Sequence, residues 1–184
     1  MTNNEAKELL KEKLKTDYLV KHCLASAAIM KALAARLGQD VELWETAALL
    51  HDLDFEETKD NPEKHTLLTI EWLKDSGLPQ EALHAISAHN EEHVNCKRES
   101  LFDYALTAAE TVTGLISATA MVMPDKKLAS VKAKSVKKRI KEKAFAKNVN
   151  RENILLCEKL GLNIDEFIEL SVKAMQEAAP ELES

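Results

Sequence analysis

From Tyr104 to Met123 the chain runs for twenty residues with a single charge, Glu110. A stretch this apolar belongs in a bilayer or in a protein core. Four threonines, a serine, a glycine and a mid-span carboxylate make a poor lipid face, so the segment reads as a buried helix and no membrane contact is expected. It is the one stretch that the sequence offers as a membrane candidate. The rest of the chain must then supply the apolar faces that cover it.

Those faces are expected to be helical. Gly38, Gly77 and Gly161 each follow an apolar-periodic segment where a left-handed C-terminal cap is wanted. Asn61-Pro62 reads as an N-cap with proline at the first helical position, Pro79 opens another helix, and Pro124 closes the long apolar one. The spacing predicts helices over 4–15, 17–37, 41–53, 62–76, 79–89, 99–123, 126–142, 150–160 and 164–178. With no strand, hairpin or repeat signal, the expected fold is all-α, a compact multi-helix bundle spanning 1–184 as one domain. Residues 150–184 form a C-terminal helical extension, free to shape a substrate pocket or a homodimer face. Cys23, Cys96 and Cys157 are odd in number and lack C-x-x-C spacing, which fits a reducing compartment. The charged first residues have no apolar core of a signal peptide, so a cytoplasmic location is expected. The formal net charge of -6 disfavours general nucleic-acid binding. Within it, Lys126 to Lys147 holds ten Lys or Arg against one acid, Glu142, a run that solvates a helix face or attracts a phosphorylated substrate.

Three helices offer metal-ligand chemistry. Glu110 has no Lys or Arg within two turns on its own helix, so burial calls for a hydrogen-bonding partner, a proton or a cation. His51-Asp52 ends an apolar helix, where adjacent side chains about 100° apart reach one ion only if it sits beside the helix end. His22 lies on the apolar stripe that includes Tyr18, Ala25 and Leu33. Two imidazoles and two carboxylates suit Mn, Fe, Co, Ni or Zn better than Ca, which prefers oxygen ligands.

The order histidine, His-Asp, then an acid on a later helix resembles the HD superfamily of metal-dependent phosphohydrolases, close to its HDIG group. The resemblance rests on Ala-Leu-Leu-His51-Asp52-Leu-Asp-Phe-Glu, Pro62-Glu-Lys-His65, Ala-Ile-Ser-Ala-His89-Asn90, Ala-Ala-Glu110-Thr-Val-Thr-Gly-Leu-Ile and the Lys-Ser-Val-Lys-Lys run. It implies a first metal at His22, His51, Asp52 and Glu110, and a second at His65 and His89 with Asp52 bridging. The chain departs from the family in having Glu110 where Asp is usual, and Leu53-Asp54 where the HDIG group has Ile-Gly.

The function implied is hydrolysis of a nucleotide or other small phosphorylated metabolite by metal-activated water, with His51 and Asp52 carrying the chemistry at one or two divalent ions. Asp54, Glu56 and Glu57 are alternative proton relays. Lys134 and Lys137 are expected to clamp substrate phosphates as point charges, and Asn90 to orient a ligand or the substrate. A non-catalytic HD module that binds a nucleotide or a partner protein is the alternative. A ferritin-like di-iron bundle needs two Glu-x-x-His motifs, and the chain offers one, Glu81 to His84. No P-loop, Rossmann or nucleophile-elbow motif is present.

Overall fold

A computed structural model of the chain describes residues 1–183. Its helices are α1 (Asn3–Lys13), α2 (Asp17–Leu37), α3 (Val41–Leu50), α4 (Phe55–Thr58), α5 (Leu67–Leu73), α6 (Gln80–Ala88), α7 (Leu101–Met121), α8 (Ala133–Lys141), α9 (Arg151–Leu155), α10 (Ile164–Glu177) and α11 (Ala179–Leu182). Among the described residues there is no strand. The architecture is all-α, as the sequence predicts.

Local chemistry sets most boundaries. Thr2 with Glu5, Ser100 with Asp103 and Asn163 with Glu166 form reciprocal capping boxes at the starts of α1, α7 and α10. Asp40 caps α3 by accepting from the Leu43 N–H. Gly38 ends α2 at φ 66°, a left-handed conformation that only glycine adopts without cost.

The apolar helix α7 lies against α2, α6 and the C-terminal helices, and α2 packs on α3. Ile29, Met30 and Leu33 of α2, Leu49 and Leu50 of α3, and Leu106, Val112 and Leu115 of α7 are fully or almost fully buried. Each such side chain contributes about 1.5–3 kcal/mol through lost contact with water. Cys157, Phe167, Ile168 and Met175 join the same buried cluster, so the segment after residue 150 completes the covering of α7. The cysteines are free. By length and composition the helix apolar enough to cross a bilayer is α2, not the Tyr104–Met123 stretch, and 56% of its apolar window is buried within the fold.

Three predicted helices are shorter than their patterns. The helix expected over 41–53 ends at Leu50, and His51 to Asp54 continue as turns. Residues 62–66 are turns instead of a Pro-started helix, because Thr66 takes φ 78° and delays α5 until Leu67. The basic helix begins at Ala133 instead of 126. Before it, Lys126 is left-handed at φ 54°. The Gln176 amide then donates to the carbonyls of Leu128 (3.1 Å) and Val131 (3.0 Å), holding that stretch out of α-helical geometry.

Candidate metal centre

Four imidazoles and one carboxylate meet where α2, the end of α3, the turn before α5 and the end of α6 converge. His22, His51 and Asp52 form one cluster with metal-ligand spacing; Asp52, His65 and His89 form another. Asp52 is common to both. Its Oδ1 lies 3.5 Å from His51 Nε2, 3.2 Å from His65 Nε2 and 3.4 Å from His89 Nε2, while Oδ2 lies 3.6 Å from His22 Nε2.

The remaining ring nitrogens decide which way the protons face. His51 Nδ1 is 2.8 Å from the Ala48 carbonyl and His89 Nδ1 is 2.6 Å from that of Ile86; a carbonyl only accepts, so both Nδ1 atoms donate. His65 Nδ1 donates to the Asp54 carboxylate at 2.8 Å. The Thr113 hydroxyl donates to the Glu110 carbonyl at 2.6 Å and therefore accepts from His22 Nδ1 at 3.0 Å. In each neutral ring Nε2 is then the lone-pair nitrogen. Those lone pairs approach one another, His22 to His51 at 3.2 Å and His65 to His89 at 3.1 Å, around an anionic carboxylate. Acceptors facing acceptors in a buried site require a cation between them. The donor set of imidazoles and carboxylate fits a divalent transition metal, each ring being oriented from behind by its Nδ1 bond.

The electrostatics agree. Burial drives the His51 imidazole down to about 3, and His22 is lowered for the same reason. Burial opposes ionisation of Asp52, but the surrounding imidazoles overcome it and hold the carboxyl well below its usual range. Burial likewise opposes charge on His65, yet hydrogen bonds to Asp52 and Asp54 raise it to about 10. A proton on His65 Nε2 is thus the cation that a metal-free centre keeps.

Glu110 stands at the edge of this group. Its Oε2 is 4.0 Å from His22 Nε2, it lies outside both tight clusters, and Thr111 hydrogen-bonds its other oxygen. Burial raises its carboxyl to about 8. Asn90 donates to the carbonyls of Pro62 (2.8 Å) and His65 (3.0 Å), so it braces the His65 turn and does not line the adjacent cavity. Lys134 and Lys137 do not line the cavity either; Lys137 is paired with Asp165 and Glu169 at 3.2 and 2.9 Å on α10. The lysines that do line it are Lys21 and Lys126. His84 bonds to Asp103 at 3.1 Å, which takes it away from Glu81 and from both clusters.

Asp54, Glu56 and Arg98 take positioning roles that the sequence did not assign to them. Asp54, fully buried, holds His65 through Oδ1 and accepts the Thr69 N–H through Oδ2 at 3.1 Å, which leaves a proton-relay role no support. Its signal was present in the His-Asp-x-Asp spacing. Glu56 accepts the N–H groups of Lys15 and Thr16 at the start of α2. Arg98 donates to the carbonyls of Ala88 (3.0 Å) and His89 (2.8 Å), fixing the end of α6 that carries His89, and no local sequence signal marks it.

Similarity to known proteins agrees with this geometry. Ribonuclease Y of Cutibacterium acnes is 32% identical over 93 residues, which cover 50% of this chain and 17% of that protein. Ribonuclease Y of Desulfotalea psychrophila is 30% identical over 96 residues, 52% of this chain and 18% of that protein. Ribonuclease Y of Chloroflexus aurantiacus is 30% identical over 105 residues, 55% and 20% respectively. The chain thus spans about a fifth of the length of these relatives. The pattern of the HD-domain family matches residues 19–119, more than half of the chain and the whole of both histidine clusters. This chain belongs to the HD-domain family of metal-dependent phosphohydrolases.

Proposed function

We propose that the protein hydrolyses the phosphate ester or anhydride of a nucleotide or other small phosphorylated metabolite in the cavity beside the histidine clusters. The observation that carries this reading is the convergence of four imidazole Nε2 atoms on Asp52, each ring locked by an Nδ1 donor bond. His22, His51 and Asp52, with Glu110 reaching in from α7, would hold a first divalent ion. Asp52, His65 and His89 would hold a second. Such ions lower the pKa of a nucleophilic water and neutralise charge on phosphoryl oxygens.

The chain's own groups do the rest. Asp52 stays ionised and is shared by both clusters, so it fixes their spacing. Asp54 and Asn90 keep His65 aimed at Asp52 from behind, and Arg98 does the same for His89. Lys126 brings positive charge to the cavity that His22, Asp52 and Glu110 line, where substrate phosphate would sit, and Lys21 lines it while paired with Asp17 at 2.9 Å.

An RNA substrate is the second reading, favoured by the ribonuclease names of the relatives. Elemental analysis of the purified protein beside Asp52→Ala, followed by assay with p-nitrophenyl phosphate and a single-stranded oligoribonucleotide, tests both. The expected result is stoichiometric metal, phosphoester turnover, and loss of both in the variant. Turnover that survives in a metal-depleted Asp52→Ala protein overturns the mechanism.

A further inference from the structure

The cavity beside the metal centre has a volume of about 960 Å³, far more than a phosphoryl group needs and at the upper end for a small-molecule site. His22, Asp52 and Glu110 of the metal centre line part of it. Another part of its wall is Asn148, Val149, Asn150 and Asn153, all beyond the stretch that carries the family pattern.

This wall has a specified shape. Arg151 Nη1 donates to the carbonyls of Ala146 and Val149, both at 2.7 Å, and its Nη2 to those of Phe145 and Glu142. One guanidinium thereby gathers four carbonyls of a single irregular segment. Ala146 is held at φ 44°, a left-handed conformation that a side chain disfavours. Gly114, in the middle of α7, lets the segment come close: a Cβ there would lie 3.2 Å from Val149 Cγ2. A strained residue, a four-carbonyl clamp and a helix-interior glycine all hold the asparagines against the cavity.

The chemistry of the wall selects its ligand. A carboxamide offers a donor and an acceptor side by side, which matches the edge of a nucleobase. Phe55, Met121 and Val149 line the same cavity with part-exposed or exposed apolar surface, against which the flat face of a base can lie. Tyr18 lines the same cavity with an exposed aromatic ring.

We propose that the segment held by Arg151 is a nucleobase-recognition wall, with Asn148 and Asn153 as specificity residues, and that the cavity takes a nucleoside monophosphate. Its phosphate faces the histidine clusters, an orientation that rests on the phosphohydrolase reading above. Asn150 Oδ1 caps α9 through the Glu152 N–H at 3.0 Å, so the test falls on the other two amides.

The manganese-loaded full chain is assayed with the 5′-monophosphates of adenosine, guanosine, cytidine and uridine, with ribose 5-phosphate and p-nitrophenyl phosphate as base-less substrates. The best nucleotide should exceed ribose 5-phosphate in kcat/KM by about ten-fold or more, and Asn148→Ala and Asn153→Ala should each reduce that ratio about ten-fold. A wild-type ratio near one, a ratio unmoved in both variants, or cleavage of a single-stranded oligoribonucleotide with none of the monophosphates overturns the proposal. If no phosphoester at all is turned over, the hydrolase reading has failed, and calorimetric titration with the four monophosphates decides the wall separately. Binding weakened about ten-fold in both variants sustains it; absence of binding to the wild type overturns it. Thermal melts of each variant establish that the fold is intact.

Discussion

The histidine clusters and the segment around Arg151 face one cavity, yet they are held in place by different means. At the clusters, side chains orient side chains: Asp54 holds His65, Thr113 holds His22, and helix-end carbonyls hold His51 and His89. Around Arg151 a single side chain orients backbone, collecting the carbonyls of Glu142, Phe145, Ala146 and Val149. The first arrangement aims lone pairs at a point, as a metal requires. The second sets the contour of a wall, as selection of a ligand by shape and hydrogen bonding requires. The two should therefore fail separately when perturbed.

The largest separable effect is expected from Arg151→Ala. Loss of a charged donor to four carbonyls should cost roughly 2–3 kcal/mol in denaturant unfolding, while metal content stays at the wild-type level. Loss of metal in this variant would break the comparison, because it would mean that the wall supports the clusters. Asp54→Asn probes the opposite side. It leaves the wall untouched and weakens the support of His65, so metal affinity measured by competition with a chelator should fall about 10–100-fold. An unchanged affinity would show that the turn before α5 aims His65 without its carboxylate partner.

A third test of the comparison is the pH dependence of metal binding. Glu110 is raised to about 8 and His65 to about 10, so both carry protons near neutrality that an ion must displace. Protons compete with the metal, and affinity should therefore rise between about pH 6 and pH 8, with proton uptake by the buffer visible in calorimetry. The ligand-facing groups of the wall are carboxamides, which do not titrate in this range, so the wall should show no matching trend. A pH-independent metal affinity would mean that Glu110 and His65 do not take part.

Much of this was legible in the sequence because it depends on local rules. The apolar stretch of α7 and the glycine that ends α2 follow from patterning and from the backbone freedom of glycine. The histidines and Asp52 stand out because ligand-type residues on inward helical faces are uncommon and their order matches a known family. Thr66 and Lys126 were not legible. Each adopts a left-handed backbone that its residue type does not announce, and each ends or delays a helix that periodicity alone would extend. Lys134 and Lys137 were placed at the substrate because they belong to a basic run, whereas α10 supplies carboxylates that pair with Lys137 outside the cavity.

What the sequence determined by itself was the helical class, the apolar faces and the set of side chains able to bind a cation, since these depend on periodicity and on residue chemistry. The tertiary structure decided which nitrogen of each histidine turns inward, that Asp54 and Arg98 position the centre, and that Asn148, Asn150 and Asn153 share a cavity with it. Those outcomes depend on hydrogen bonds between groups far apart in the chain, and a partner that folding brings close leaves no mark in local spacing.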